Sequence, residues 1–202
     1  MPSSKSQQQL PKSQFKHFFK PLSTTFRHMG FAFMSLITIA TVSGCSSLGV
    51  QGQSPFNVQN YMGTWYEIAR LDHSFERGLT HVTAEYALMD SGEVSVLNRG
   101  FNPETGEFQE ANGKAYLNKA DHVGSLRVSF FWPFYGDYKV VDTDYTQYAI
   151  VSGNDLDYLW LLAREPEVSD EVIATFEDKA STLGYNINEL IYVEQTPRGA
   201  TP

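Results

Sequence analysis

The sequence predicts an all-β protein, folded as an antiparallel barrel or sandwich, with one C-terminal helix. Short runs rich in Val, Tyr, Phe and Ile alternate with polar residues over much of residues 63–164. Turn-forming segments, "MDSGE" (89–93), "NPETGE" (102–107) and "SGNDLD" (152–157), separate these runs at fairly even intervals. No helical pattern interrupts them, which favours hairpins between neighbouring strands.

The first 44 residues are predicted to be a lipoprotein signal peptide and no part of the fold. They carry five cations and no acid, and the apolar run "MGFAFMSLITIATV" (29–42) precedes small residues. This run is shorter than the roughly 20 residues that a spanning helix needs. The sequence "VSGC" (42–45) resembles the lipobox of bacterial lipoproteins. An ordinary secreted protein with a stray cysteine is the alternative.

Cys45 is the predicted lipidation site and the start of the mature chain. It is the only cysteine, so the sequence offers no disulfide and no thiol for catalysis. Acyl chains on Cys45 would hold the protein at a membrane, since each buried methylene contributes about 0.8 kcal/mol. By resemblance to enteric lipoproteins, Ser46 in place of Asp implies the outer membrane, with the protein facing the periplasm. Residues 45–57, rich in Ser, Gly and Gln, are expected to form a flexible tether.

The alternation of apolar and polar residues and the turn sequences predict the strands, and capping residues predict the ends of the helix. Ser169 is a good N-cap and Gly184 a natural residue just past a helix C-terminus, and the apolar face between them should dock outside the sheet. A short extra strand is expected in "ELIYVEQ" (189–195), and residues 197–202 form a tail. The apolar face comprises Val172, Ile173, Phe176, Ala180 and Leu183. Eight main strands are predicted at residues 63–71, 81–88, 93–100, 108–117, 124–131, 137–142, 145–152 and 157–164.

Three motifs, in order and with appropriate spacing, give the chain a specific resemblance to the lipocalin family. The resemblance covers roughly residues 57–195, with the domain itself placed at 58–196. It implies an eight-stranded antiparallel up-and-down barrel that holds a lipophilic molecule, followed by a C-terminal helix. The motif residues are Gly63, Thr64 and Trp65; Thr143, Asp144 and Tyr145; and Arg164.

The motif residues are expected to build the closed end of the barrel. Gly63 lets the chain turn into the first strand, and Trp65 plugs the floor. Arg164 can lie over the indole as a cation–π contact, and by resemblance this pair seals the bottom. Asp144 and Tyr145 are interpreted as a turn and an inward-facing strand start. These residues are therefore kept apart from the ligand site.

The residues facing the interior follow from the period-two alternation of strand side chains. If Trp65 points inward, so do Glu67 and Ala69. Small inward side chains leave space on several strands, which favours a hollow barrel. An eight-stranded barrel can also be filled by its own side chains, and that alternative stays open. The predicted ligand-binding residues are Ala69, Ala84, Tyr86, Val96, Leu126, Val128, Phe130, Tyr138, Val140, Tyr158 and Trp160.

The sequence leaves alternatives open for the role of Glu67 and for the location of an aromatic segment. Glu67 should face the lumen near Asn98 and Gln147, where it is hydrogen-bonded or orients a polar ligand group. The segment "FFWPFYG" (130–136) holds too many aromatics for all to be buried. It could contact the membrane, flank the barrel mouth, form a homodimer, or pack on itself.

Composition and motifs narrow the function to a carrier. Residues 45–202 hold ten basic and 23 acidic residues, a net charge of −13, which disfavours nucleic acid as a partner. His73, His81 and His122 lack metal-like spacing, and His73 is interpreted as a solvated loop residue. No catalytic residue, metal or cofactor is expected. The resemblance implies an outer-membrane lipocalin that stores or transports a fatty acid or lysophospholipid, in envelope maintenance or stress. A structural lipoprotein with a filled barrel and a lipid-modifying enzyme are the alternatives.

Overall fold

An antiparallel sheet closes on itself to form a barrel. The computed structural model describes residues 49–118 and 123–195, so the predicted signal peptide, Cys45, His122 and the tail lie outside the described residues. The strands are β1 (Gly63–Arg70), β2 (Thr80–Leu88), β3 (Val94–Asn102), β4 (Glu107–Leu117), β5 (Ser125–Phe131), β6 (Phe134–Thr143), β7 (Tyr148–Ser152), β8 (Leu159–Ala163) and β9 (Ile191–Tyr192). Strands β2 to β8 pair in sequence order, and β1 closes the ring by pairing with both β8 and β2. The predicted eight-stranded up-and-down barrel is therefore confirmed, and β9 is an extra strand on β1.

Helix α2 (Asp170–Thr182) packs against the outside of the barrel, as predicted. The Ser169 hydroxyl caps its first turn, and Gly184 adopts a φ of 90° just beyond its end. Val172, Phe176 and Ala180 are buried against apolar residues of β1, β7 and β8. A short helix, α1 (Val58–Tyr61), leads into β1. Within residues 49–118 and 123–195, neither helix is long and apolar enough to cross a membrane.

A β-bulge in β1 reverses the predicted orientation of Ala69. The register with β8 shifts between Glu67, which pairs with Leu162, and Ala69, which pairs with Leu161. Because one extra residue is inserted, Ala69 packs with the cluster beneath helix α2 and does not face the interior. The prediction that Ala69 lines the cavity is therefore wrong. Arg70, which simple alternation would place outside, turns inward instead.

The closed end is sealed by Arg164 lying over Trp65. The guanidinium carbon lies 3.7 Å from the centroid of the indole, and Trp65 is fully buried. The guanidinium also donates to three backbone carbonyls, those of Tyr145 (3.0 Å), Thr64 (2.9 Å) and Asn60 (2.9 Å). Arg164 therefore joins the β6–β7 turn, the start of β1 and helix α1 at one point.

The turn between β6 and β7 is longer than predicted. The Asp144 carboxylate accepts backbone N–H groups from Thr146, Gln147 and Tyr148, and β7 begins only at Tyr148. Burial by itself raises the pKa of Asp144, but these backbone donors outweigh it and hold the pKa below its ordinary value. Tyr145 has a φ of 66°, so it lies in this turn and not at an inward-facing strand start, which corrects the prediction.

Much of the predicted tether is packed onto the barrel. Val50 and Phe56 are buried. The Gln53 N–H donates to the Val140 carbonyl oxygen, and the Gln53 carbonyl oxygen accepts from the Gly124 N–H, beside the first residue of β5. A side chain at Gly52 would lie 2.4 Å from the Gly124 carbonyl oxygen, so only glycine permits this approach. The prediction of a flexible tether over residues 45–57 is corrected from Val50 onward.

The seal formed by Arg164 and Trp65 at the closed end should contribute strongly to stability. Replacing Arg164 by Ala removes the cation over Trp65 and three charge-assisted hydrogen bonds, so the free energy of unfolding should fall by about 2–4 kcal/mol. Urea unfolding followed by circular dichroism measures the change.

Arg99→Ala is the matched control. The Arg99 guanidinium stacks on Phe108 at 4.4 Å, but both side chains lie on the exposed outer surface. The loss there should stay below about 1 kcal/mol. Equal losses in the two variants would contradict the role given to Arg164.

Candidate ligand-binding site

The barrel encloses an open cavity above the Trp65 floor. Its empty volume is about 1050 Å³, including the space at the mouth, and most of its wall is apolar. The mouth lies at the end where Phe75, Phe131 and Asn154 stand, opposite the end sealed by Arg164. The barrel is thus hollow and is not filled by its own side chains, which disfavours the purely structural alternative.

Eight of the predicted binding residues line this cavity. Their shared feature is an inward position on β2, β3, β5 or β6, or at the start of β8, as strand parity predicts. That they contact a ligand stays a prediction. They are Ala84, Tyr86, Val96, Val128, Phe130, Tyr138, Tyr158 and Trp160.

Three predicted residues lie elsewhere. Ala69 is turned outward by the bulge in β1 and packs beneath helix α2. Leu126 and Val140 point inward but belong to the solid core near the closed end, where they are buried with Trp65 and Phe56. The alternation of side chains predicts correctly that Leu126 and Val140 face the interior. It does not predict the depth at which the solid core ends and the cavity begins.

Two tyrosines of the cavity wall, Tyr86 and Tyr138, form a hydrogen-bonded cluster with the buried Tyr61. The Tyr138 hydroxyl is hydrogen-bonded to those of Tyr61 (2.6 Å) and Tyr86 (2.9 Å). Burial raises the pKa of each phenol above its ordinary value, so all three stay neutral. Because the hydroxyls satisfy one another, this part of the wall can face an alkyl chain without leaving an unpaired polar group.

The upper wall carries a buried charged cluster. Arg70 donates from Nη1 to Glu67 Oε1 at 2.6 Å and from Nη2 to the Glu76 carbonyl oxygen at 2.9 Å. The Glu76 carboxylate accepts the indole N–H of Trp160 at 3.1 Å. Burial first, and then the neighbouring Glu76 charge, raise the pKa of Glu67 well above its ordinary value, although Arg70 opposes this rise.

The loop between β1 and β2 forms part of this wall. Phe75 and Glu76 line the cavity, and His73 is stacked on Phe75 with a centroid distance of 4.0 Å. His73 is only 5% exposed, so the prediction of a solvated histidine is wrong. Apolar neighbours, including Trp160, surround the ring, and burial lowers the pKa of His73.

Glu67 occupies the predicted lumenal position, but with partly different neighbours. Asn98 lines the same cavity, as expected. Gln147 lies in the turn at the closed end, where its backbone N–H donates to Asp144. Gln147 therefore belongs to the closed end, whereas Glu67 lines the cavity.

Sequence reasoning missed Arg70, Phe75 and Glu76. Arg70 was hidden by the bulge, since simple alternation places it outside. Phe75 and Glu76 belong to a loop whose path no periodicity specifies. One signal was available: an inward Glu67 needs a buried partner, and Arg70 is the nearest cation in sequence.

The predicted aromatic cluster lies beside the mouth. Phe131 and Phe134 line the upper cavity, and their stacked rings lie 6.3 Å apart at the tip of the β5–β6 hairpin. Trp132, between them, is 75% exposed. Of the locations considered from the sequence, the tip therefore occupies the one flanking the mouth.

An eight-stranded barrel with a plugged floor, an apolar calyx and an outer C-terminal helix defines a lipocalin. The comparison with known families agrees, because residues 56–195 match the family described as "Lipocalin-like domain". The chain belongs to the lipocalin family, whose members bind lipophilic ligands.

Relatives among known proteins include bacterial lipoproteins. The chain is 46% identical to outer membrane lipoprotein Blc of Vibrio cholerae serotype O1, over 81% of this chain and 98% of that protein. It is 45% identical to outer membrane lipoprotein Blc of Escherichia coli K12, over 80% of this chain and 92% of that protein. The predicted resemblance to bacterial lipocalins and the predicted outer-membrane, lipid-anchored location are thereby confirmed.

Solved structures share the fold at low identity. Insecticyanin from the tobacco hornworm Manduca sexta superposes with a TM-score of 0.63 at 21% identity, covering 75% of this chain and 87% of that chain. Lobster apocrustacyanin A1 gives a TM-score of 0.60 at 18% identity, covering 74% of this chain and 92% of that chain. These likenesses support the barrel architecture alone.

The raised pKa of Glu67 predicts a pH-dependent stability. A carboxyl whose pKa is higher in the folded protein binds more protons there, so wild-type stability falls as pH rises above the ordinary glutamate value near 4.5. Glu67→Gln removes this titration. The free energy of unfolding of the variant should therefore improve relative to wild type between pH 5 and pH 8, measured by urea unfolding.

Glu85→Gln on the exposed outer face of β2 serves as the control, and its stability should run parallel to wild type across the same pH range. A constant difference between Glu67→Gln and wild type would show that Glu67 titrates normally.

Proposed function

We propose that this protein stores or transports a single-chain lipid, a fatty acid or a lysophospholipid, in its barrel calyx. The observation that carries the proposal is the empty, mainly apolar cavity of about 1050 Å³. That volume includes the space open to solvent at the mouth, and the wall around it is mostly apolar. One alkyl chain with a small polar head fits such a space.

The cavity walls match the two parts of such a ligand. Ala84, Val96 and Val128 form apolar wall on three strands, and burial of a chain there contributes roughly 25 cal/mol per Å² of apolar surface. Glu67, Glu76 and Asn98 place polar groups on the same cavity wall and suit a head group. We assign the chain to the apolar wall and the head group to these residues.

The proposed activity is capture and release without bond breaking. Three polar side chains that line the cavity hydrogen-bond within the protein: Glu67 with Arg70, Glu76 with Trp160, and Tyr86 with Tyr138. If the protein were a lipid-modifying enzyme, it would convert a lysophospholipid during incubation. We expect the lipid to be recovered intact, as measured by mass spectrometry.

We place the calyx on the periplasmic side of the outer membrane, held by acyl chains on Cys45. A carrier at this location would serve envelope maintenance or the response to envelope stress, by taking up single-chain lipids released from the bilayer. The exposed hairpin tip around Trp132 could form a homodimer contact. Light scattering of the protein lacking residues 1–45 measures its molar mass in solution and so tests for a dimer.

The decisive test of binding fills the cavity. Ala84 lies on the inner face of β2 and lines the cavity, so Ala84→Phe should occupy space needed by the chain. Affinity for palmitate and for a palmitoyl lysophospholipid should fall at least about tenfold, in line with the steric cost of overfilling a packed site. Isothermal titration calorimetry measures both.

Ala87→Phe is the matched control, because Ala87 is exposed on the same strand and the substitution has the same size. It should leave both affinities unchanged. If Ala84→Phe binds as tightly as Ala87→Phe, the ligand is not in the barrel.

A second test uses the native fluorescence of Trp160, which lines the cavity. A long-chain ligand should quench the emission of wild-type protein, and Trp160→Phe should lose this response while keeping Trp65 and Trp132 as internal references. An unchanged response in the variant would place the ligand away from Trp160.

A further inference from the structure

The tip of the β5–β6 hairpin exposes aromatic rings at the mouth of the barrel. Trp132 is 75% exposed, and Phe131 and Phe134, on either side of the turn, are about half exposed. Phe131 and Phe134 belong to the cavity wall, whereas Trp132 is not among the residues that line the cavity. The indole of Trp132 is therefore available to a surface outside the calyx.

The other loops at the mouth carry acidic side chains. Because neighbouring strands of the described barrel are antiparallel, the connections after β1, β3, β5 and β7 all lie at this end. The connection after β5 consists of Trp132 and Pro133 and holds no ionisable group. The one cation in the other three loops is Arg77, which is paired with Asp72. The acidic residues of those three loops are Asp72, Glu76, Glu104, Asp155 and Asp157.

A lipid surface fits this arrangement better than a second copy of the chain. Tryptophan is enriched at membrane interfaces, because its ring is apolar and its N–H can stay hydrogen-bonded to water or head groups. Two copies that met tip to tip would bring two acidic rims together, and residues 45–202 already carry a net charge of −13 from ten basic and 23 acidic residues. On a bilayer, only the tip enters and the acidic loops stay in water.

The segment that leads to Cys45 leaves the barrel from the same two strands as the tip. Gln53 is hydrogen-bonded to Val140 of β6 and to Gly124, next to the first residue of β5. Val140 lies six positions after Phe134 on β6, which corresponds to roughly 20 Å along the strand. Gln53 lies eight positions after Cys45, and a chain of that length spans at most about 28 Å. Acyl chains on Cys45 can therefore enter the same bilayer as the tip.

We propose that the β5–β6 tip inserts Trp132 into the interface of the bilayer that anchors the protein, so that the mouth of the calyx lies at the membrane surface. The partner is the lipid surface itself. The proposal rests on the proposed anchor at Cys45, but docking does not require an occupied calyx. Because the anchor keeps the tip close to the bilayer, its effective concentration there is high and a small apolar contact is sufficient.

Phe131 and Phe134 connect the docked tip with the calyx. Both rings are half exposed and both line the cavity. A single-chain lipid that leaves the bilayer beside Trp132 meets these rings before it reaches the cavity wall, so its alkyl chain keeps contact with apolar surface on the way. Docking should therefore speed the uptake of lipid from the bilayer. This step rests on the proposed function.

Fluorescence quenching by brominated lipid tests the docking directly. The mature lipidated protein is placed in vesicles of phosphatidylethanolamine with a minor share of phosphatidylglycerol, with or without bromine on the upper part of the acyl chains. The emission of Trp132 is the difference between wild type and Trp132→Phe, since Trp65 and Trp160 are common to both. Bromine should reduce this difference at least about twofold, because an indole at the interface contacts the upper acyl chains.

An equal Trp132 emission in brominated and plain vesicles would place the indole outside the bilayer and overturn the proposal. A homodimer contact at the tip gives this same result, because the second copy would then cover the indole.

Uptake from the bilayer tests the consequence of docking. The same vesicles are loaded with parinarate, a fluorescent fatty acid whose arrival in the calyx is followed by energy transfer from Trp160. Trp132→Ser should slow the transfer at least about fivefold, since it removes most of the apolar surface that the tip offers to the bilayer. Its affinity for parinarate without vesicles should equal that of wild type, because Trp132 does not line the cavity.

Phe108→Ser is the matched control. Phe108 is as exposed as the rings at the tip, but it lies on the outside of β4 beside Glu107. Both the rate of transfer and the affinity should stay at the wild-type values. Equal rates for Trp132→Ser and Phe108→Ser would show that lipid does not enter by way of the tip.

The docking and the proposed ligand site fail separately. If bromine quenches Trp132 but the protein binds no parinarate with or without vesicles, the tip docks and the calyx is not a fatty-acid site. If parinarate binds but Trp132 is not quenched, the calyx holds lipid and the docking proposal is wrong.

Discussion

The barrel depends on the contact between Arg164 and Trp65. A sheet closed into a ring still has two open ends, and the indole fills one of them. The guanidinium covers that indole and bonds three carbonyls from three separate segments, so it fastens the start of the barrel to its last strand and to the β6–β7 turn. With one end fixed in this way, space can remain empty above it without collapse of the wall. The cavity is therefore a consequence of the seal.

The buried polar groups of the barrel are hydrogen-bonded in two different ways. Near the floor, Tyr61, Tyr86 and Tyr138 satisfy one another and behave as part of an apolar wall. Near the mouth, Glu67 and Glu76 accept hydrogen bonds from Arg70 and Trp160. The difference follows from composition: neutral hydroxyls both donate and accept, whereas carboxylates only accept. The calyx therefore has an apolar part beside the tyrosines and a polar part beside the glutamates.

The sequence was sufficient for the architecture and for most of the wall, but not for its charged part. Alternation and turn chemistry predicted eight strands, and the cap residues Ser169 and Gly184 predicted the helix. Parity then placed Tyr86, Phe130 and Trp160 correctly on the cavity wall. It failed at Ala69, because a single inserted residue reverses every later side chain of β1, and no local pattern marks that insertion. It also could not foresee that Glu76 folds back from a loop, since loop paths depend on contacts made only in the finished fold.

The hydrogen-bonded tyrosines have a consequence for ligand length. They stand on the indole plug and are braced by one another, so the bottom of the calyx is a hard stop at fixed depth. For the single-chain lipid that we propose as ligand, a tail that reaches this stop can descend no further, and additional methylenes must emerge at the rim beside Phe131 and Phe134. The depth of the barrel thus sets the length of ligand chain that can be buried. The aromatic residues at the rim would cover the part that remains outside.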